Sequence, residues 1–147
     1  MNTTVKAKSA RLNSLDDLNN LRADIEAGVD PNQLKIMVCH GTGCRAGGAD
    51  AVTRALTTAL AKADVGGKVI PEIKSSGCQG FCSKGVLVTI LPEGISYQKV
   101  KPEDAEEIIQ KTVVDGELVE RLLYVDPDSG KTIAKEEDIP FYKLQDR

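Results

Sequence analysis

Cys39, Cys44, Cys78 and Cys82 are the only cysteines in the chain, spaced as C-x4-C, a long gap, then C-x3-C. Two close pairs brought together by folding make a four-thiolate cage, and a cage of that kind holds metal. Tetrahedral all-sulfur sites suit zinc or iron–sulfur clusters. Zinc knuckles mostly use C-x2-C, a spacing neither pair has. A [2Fe-2S] core takes two thiolates on each of its irons, which two loops of two cysteines supply. Iron–sulfur is the favoured occupant and structural zinc the alternative. Disulfides or inert core thiols fit less well, because these cysteines lie in glycine-rich stretches rather than on apolar faces.

Other cysteine chemistries are excluded by spacing. A plant-type iron–sulfur loop would carry a third cysteine where this chain has Gly47, and a Rieske centre would need two histidines where the chain has only His40. A thiol–disulfide enzyme wants C-x-x-C at a helix start. The run Gly41-Thr-Gly43-Cys-Arg-Ala46 satisfies the G-x-G-x-x-G/A dinucleotide pattern. That reading also wants an acid at the end of the next strand, and Asp64 falls near the end of a helix instead. A cysteine inside the pattern, paired with another just before it, points to metal.

Four glycines have a matching reading. Gly41, Gly43, Gly77 and Gly80 let backbone N–H groups approach cluster sulfurs, and such bonds favour the more negative reduced state. Tight loops need glycine in any case, so both readings stand. His40 reads as a loop-surface residue rather than a proton carrier. Arg45 and Lys84 read as solvated loop cations. Phe81, between the last two cysteines, is either a shield against water or a core anchor.

At 147 residues with 41% hydrophobic content, the chain suits one domain with an extension. Its net charge of −3, 3% aromatic content and lack of a Lys/Arg cluster exclude a nucleic-acid footprint. Four thiolates, two ferric ions and two sulfides would add about −2 more. No apolar run is long enough for a membrane span, and the start of the chain lacks the apolar core of a signal peptide. A cytoplasmic setting, where thiols stay reduced, is the expectation.

The elements that must position the cysteines follow from pattern. Ser14 to Gly28 reads as a helix with Asp17 completing a capping box and Leu15, Leu18, Leu21 and Ile25 on one stripe. It forms an N-terminal helical extension over residues 1–31, expected to pack on the main domain or a partner. A main domain over 32–114 opens with a buried strand, Leu34 to Val38, that ends on Cys39. A loop from His40 to Gly48 leads to a helix from Ala49 to Ala63, closed by Gly66 and Gly67. A strand from Lys68 to Lys74 contains Pro71 and is therefore expected at a sheet edge. The loop Ser75 to Gly85 leads into strands Val86 to Leu91 and Ile95 to Val100, joined at Pro92-Glu93-Gly94. Pro102 begins a helix through Val113. This β-α-β-β-β-α order predicts an α/β, thioredoxin-like fold: a βαβ unit, a β-hairpin and a closing helix. Residues 115–147 read as a short helix (Gly116 to Tyr124) and a polar linker that turns apolar at Ile139-Pro140-Phe141-Tyr142.

The texture around the cysteines, Cys39-His-Gly-Thr-Gly-Cys44-Arg-Ala-Gly-Gly and Gly77-Cys78-Gln-Gly-Phe-Cys82, resembles the thioredoxin-like [2Fe-2S] ferredoxin family. Within it, the chain is most similar to the iron–sulfur subunits and N-terminal domains of NADH-oxidising flavoproteins: NADH dehydrogenases, formate dehydrogenases and electron-bifurcating hydrogenases. The resemblance implies that Cys39 and Cys44 hold one iron, and Cys78 and Cys82 the other. It implies one-electron transfer within an NAD(P)H-dependent oxidoreductase, with no catalysis by this chain alone. FMN and NAD(H) would bind in a partner domain, and the partners would be flavoprotein and other iron–sulfur subunits. Ile139 to Lys143 resembles the lead-in to that flavin domain. Relatives often place proline after the glycine that follows the last cysteine; here Val86 follows Gly85, which removes no ligand.

Overall fold

The computed structural model describes residues 11–65 and 70–145. The described residues fall into two compact units that divide after Pro31. In the first, α1 spans Leu15–Ala27. The Ser14 hydroxyl accepts from the Asp17 amide, and the Asp17 carboxylate accepts from the Ser14 amide, so the capping box forms in full. The Asn13 amide donates to the same carboxylate at 2.9 Å and, with Ser14, holds the Asp17 carboxyl below its usual range.

In the second unit, β1 (Lys35–Cys39), β2 (Glu72–Ser76), β3 (Val88–Leu91) and β4 (Ile95–Tyr97) form one mixed sheet in the order β2-β1-β3-β4. β1 runs parallel to β2 and antiparallel to β3, and β3 pairs antiparallel with β4. This is the predicted α/β architecture. β2 lies at an edge, as its proline requires, but the strand begins just after Pro71 rather than running through it. The predicted start at Lys68 and the closing glycines Gly66 and Gly67 fall outside the described residues.

The stretch 40–48 is not wholly a loop. α2 (Thr42–Ala46) forms within it, with the Arg45 amide bonded to Gly41 O at 2.9 Å. The long crossover helix α3 (Ala49–Lys62) buries Ala49, Val52, Leu56 and Ala59. Fully burying Val52 and Leu56 is worth about 1.5–3 kcal/mol each. α3 packs on β1 and β2 and against the closing helical segment. That segment opens with a 3-10 turn at Pro102–Asp104, continues as α4 (Ala105–Ile108) and widens to π winding through Asp115. Gly116, at φ 75°, ends it in the left-handed region.

The predicted helix over 116–124 is absent apart from a 3-10 turn at Glu120–Leu122. Its backbone groups are spent on distant partners instead. The Val119 amide donates to the Tyr97 hydroxyl at 3.2 Å, and Leu122 O accepts from the Gln98 amide at 2.8 Å. The Tyr97 hydroxyl also meets Thr112 Oγ1 at 2.6 Å, and Tyr97 is fully buried. Tyr97→Phe would leave the buried Val119 donor without its partner. It is expected to lower the unfolding free energy by about 1–3 kcal/mol, measured by chemical denaturation.

Beyond this turn the chain folds back rather than trailing away. β5 (Tyr124–Val125) and β6 (Thr132–Ile133) form a small hairpin, and α5 (Pro140–Lys143) follows a 3-10 turn. The Ser96 amide donates to Ala134 O at 2.8 Å, and Ile95 bridges Lys135. The outer side of β4 is thereby covered. Tyr124, Ile139 and Tyr142 are buried together in a small second core that also takes in Phe81.

Candidate metal centre

Strand direction brings the cysteines together. Because β1 and β2 are parallel, their C-terminal ends lie side by side, with Cys39 in register with Ser76. Cys39 is thus delivered next to the chain that enters Cys78. β3 runs the other way, so residues 85–87 arrive at the same end, and Leu87 O accepts from the Cys39 amide at 3.0 Å. α2 turns back there and contributes Cys44; the 3-10 turn Cys82–Lys84 contributes Cys82.

All four thiols are free. Cys39 and Cys44 are buried, each 1% exposed, whereas Cys78 and Cys82 are exposed. The Cys78 and Cys82 sulfurs are 3.9 Å apart. Burial pushes the Cys44 thiol up to about 11, with Cys39 adding a hydrogen bond and like charge, while the Leu87 amide acts in the opposite direction. The Cys82 thiol is raised by its hydrogen bond and like charge with Cys78, and also by Cys39 across the site. Like charge therefore opposes ionisation at Cys44 and Cys82, and a cationic core would relieve it. Among the described residues, no group of three or more His, Cys, Asp or Glu is placed to hold a metal ion. Two pairs of thiols match in number the two thiolates that each iron of a [2Fe-2S] core takes.

The glycines shape this cage by what they lack. A methyl carbon at Gly41 would lie 2.8 Å from Cys78 Cβ and 2.9 Å from its sulfur; one at Gly43 would lie 3.4 Å from Cys82 Cβ. The two cysteine loops can approach at Gly41 only because that position is bare, whereas a methyl at Gly43 would make ordinary contact. The Gly80 amide donates to Cys78 Sγ at 3.4 Å, from a φ of +81° that favours glycine. Gly77 instead offers its carbonyl, 3.6 Å from the Cys39 sulfur. Gly85 escaped the sequence reading: a methyl carbon there would lie 2.7 Å from Cys44 Sγ. The Leu87 amide escaped it too, since neither residue type nor spacing marks a backbone donor on an incoming strand.

His40 is not a free surface residue. Its Nδ1 faces Val38 O at 3.0 Å, its Nε2 meets Asp50 at 3.3 Å, and its side chain is largely buried. Arg45 pairs with the same Asp50 at 3.6 Å. Lys84 Nζ lies over the Tyr124 ring, 5.5 Å from its centre. Phe81 stacks on Phe141, with centroids 4.4 Å apart and planes 11° from parallel. Among the described residues, no helix is long and apolar enough to cross a membrane.

Comparison with known proteins agrees with this geometry. Residues 29–113, more than half of the chain, match the family described as thioredoxin-like [2Fe-2S] ferredoxin. A 2Fe-2S ferredoxin of Clostridium pasteurianum is 42% identical over 50 residues, which is 34% of this chain and 49% of that protein. One from Aquifex aeolicus is 45% identical over 51 residues, 35% of this chain and 46% of that protein. The chain spans about half the length of the curated relatives it matches. The solved wild-type thioredoxin-like [2Fe-2S] ferredoxin from Aquifex aeolicus aligns with a TM-score of 0.56 at 28% identity, over 71% of this chain and 99% of that one.

Proposed function

The chain belongs to the thioredoxin-like [2Fe-2S] ferredoxin family, and from that premise we propose that it relays single electrons on a cluster held by Cys39, Cys44, Cys78 and Cys82. The observation that carries this reading is the meeting of two free thiol pairs at one end of the sheet. When bound, a [2Fe-2S] core accepts and releases one electron at a time. The protein does the rest. The buried Cys39 and Cys44 and the exposed Cys78 and Cys82 would hold the core, one pair shielded from water and the other facing it. The Leu87 and Gly80 amides aim positive dipoles at sulfur, which favours the added negative charge. No substrate is bound and no bond is made.

The resemblance to NADH-oxidising flavoproteins supports a more specific setting. In that setting the four cysteines would hold the cluster between a flavin reduced by NADH and a further iron–sulfur centre. FMN and NAD(H) belong to a separate flavoprotein domain, and the complex works in a reducing, cytoplasmic compartment. Anaerobically purified protein is expected to contain about two irons and two sulfides per chain, and to gain a paramagnetic signal on dithionite reduction. A colourless protein saturated with zinc would overturn the cluster. For the setting, NADH is expected to bleach the protein only when an NADH-oxidising flavoprotein of such a complex is added; bleaching by NADH alone would overturn it.

A further inference from the structure

The C-terminal aromatic turn is joined to the loop that carries the exposed cysteines. The Phe141 ring stacks on Phe81 at 4.4 Å. It also lies over Gly80, where a methyl carbon would meet the ring at 3.6 Å. Gly80 and Phe81 are two of the three residues between Cys78 and Cys82, and Gly80 supplies the amide that faces Cys78 Sγ. Tyr142 meets Phe81 edge-on at 5.9 Å and is itself buried, so the turn is fastened from beneath. Gln145 Nε2 bonds Phe141 O at 2.7 Å, and Gln145 lines an open depression beside Cys78.

We propose that Phe141 is a positioning residue for the metal centre: it clamps the Gly80–Phe81 backbone so that Cys78, Cys82 and the Gly80 amide keep their geometry. The inference rests on the cluster reading above. Two effects of removing the ring oppose each other. Greater access of water would favour the reduced, more negative state, whereas a loosened Gly80 donor would disfavour it. The Cys78 and Cys82 thiols already face solvent, so the ring adds little shielding and loss of the donor dominates. The reduction potential is therefore expected to fall.

The test compares Phe141→Ala, Phe141→Tyr, Phe81→Ala and the double variant, each as the cluster-loaded full chain. Point changes are used because the same segment also covers β4. Phe141→Ala is expected to lose its visible absorbance to an iron chelator about tenfold faster than wild type, the scale on which supporting contacts act on metal sites. Its midpoint potential should move downward. Phe141→Tyr keeps the ring and should restore both values, and Phe141→Ala should add nothing in the Phe81→Ala background. An unchanged bleaching rate and potential in Phe141→Ala, or a full additional effect in the double variant, would overturn the clamp. Failure of the wild type itself to hold an iron–sulfur chromophore would overturn the underlying reading instead.

Discussion

Cys44→Ala protein is expected to fold yet retain less than about a tenth of the iron of wild type, because under the proposed ligation one iron would be left with a single thiolate. Changes that merely misorient a metal ligand cost about 10–100-fold in affinity, and deleting a ligand removes more. The substitution suits this position for a second reason. Cys44 is buried, and without a cation its thiol is pushed up to about 11, so in the apoprotein it is a small neutral core residue. Alanine replaces such a group with little loss of packing. Iron content and visible absorbance should therefore collapse while the far-ultraviolet spectrum of the apoprotein stays unchanged. Wild-type iron content in this variant would remove Cys44 from the ligand set.

Gly41→Ala makes the complementary case, since it leaves every thiol in place. The added methyl would lie 2.8 Å from Cys78 Cβ, 2.9 Å from its sulfur and 3.1 Å from its Cα. Backbone and Cβ atoms cannot swing aside, so the two cysteine loops must part. Overpacking of this kind costs about 1–3 kcal/mol, which corresponds to roughly a five- to 150-fold loss of cluster retention, with 1.4 kcal/mol per factor of ten. Gly77→Ala is the control. A methyl there would meet nothing within 4 Å, and the change is expected to stay within about 0.5 kcal/mol of wild type. The measurement is iron per chain after chelator challenge. Equal retention by the two variants would show that the close approach at Gly41 is not what brings the loops together.

The contrast between these glycines shows how much of the site could be read from the sequence. Cysteine spacing and strand order suffice to bring the four thiols to one end of a sheet, because parallel β1 and β2 share an end whatever their side chains. Pro71 marks the edge strand because it lacks a donor, although it lies just before the strand. Spacing cannot tell Gly41 from Gly77, since their difference lies in what stands opposite each across the fold. Gly85 and the Leu87 amide escaped for the same reason. The short helix α2 was hidden by the glycines around it, and the expected helix over 116–124 was lost to bonds with Tyr97 and Gln98. That loss was decided by partners distant in sequence. The aromatic turn was legible as an apolar run, but its contact with the cysteine loop was not.

The covering of β4 sets a limit on how far the chain could be cut back. The stretch matched to the ferredoxin family ends at residue 113, whereas the groups that satisfy the outer Ser96 and Gln98 amides come from Ala134 and Leu122. A version trimmed to the matched stretch would display a bare strand rim, ready to recruit other chains and precipitate. β2, the opposite rim, is guarded by Pro71 before it and by the Lys74–Glu72 pair. The smallest portable piece of this molecule therefore runs on at least to the segment of Ala134 and Lys135.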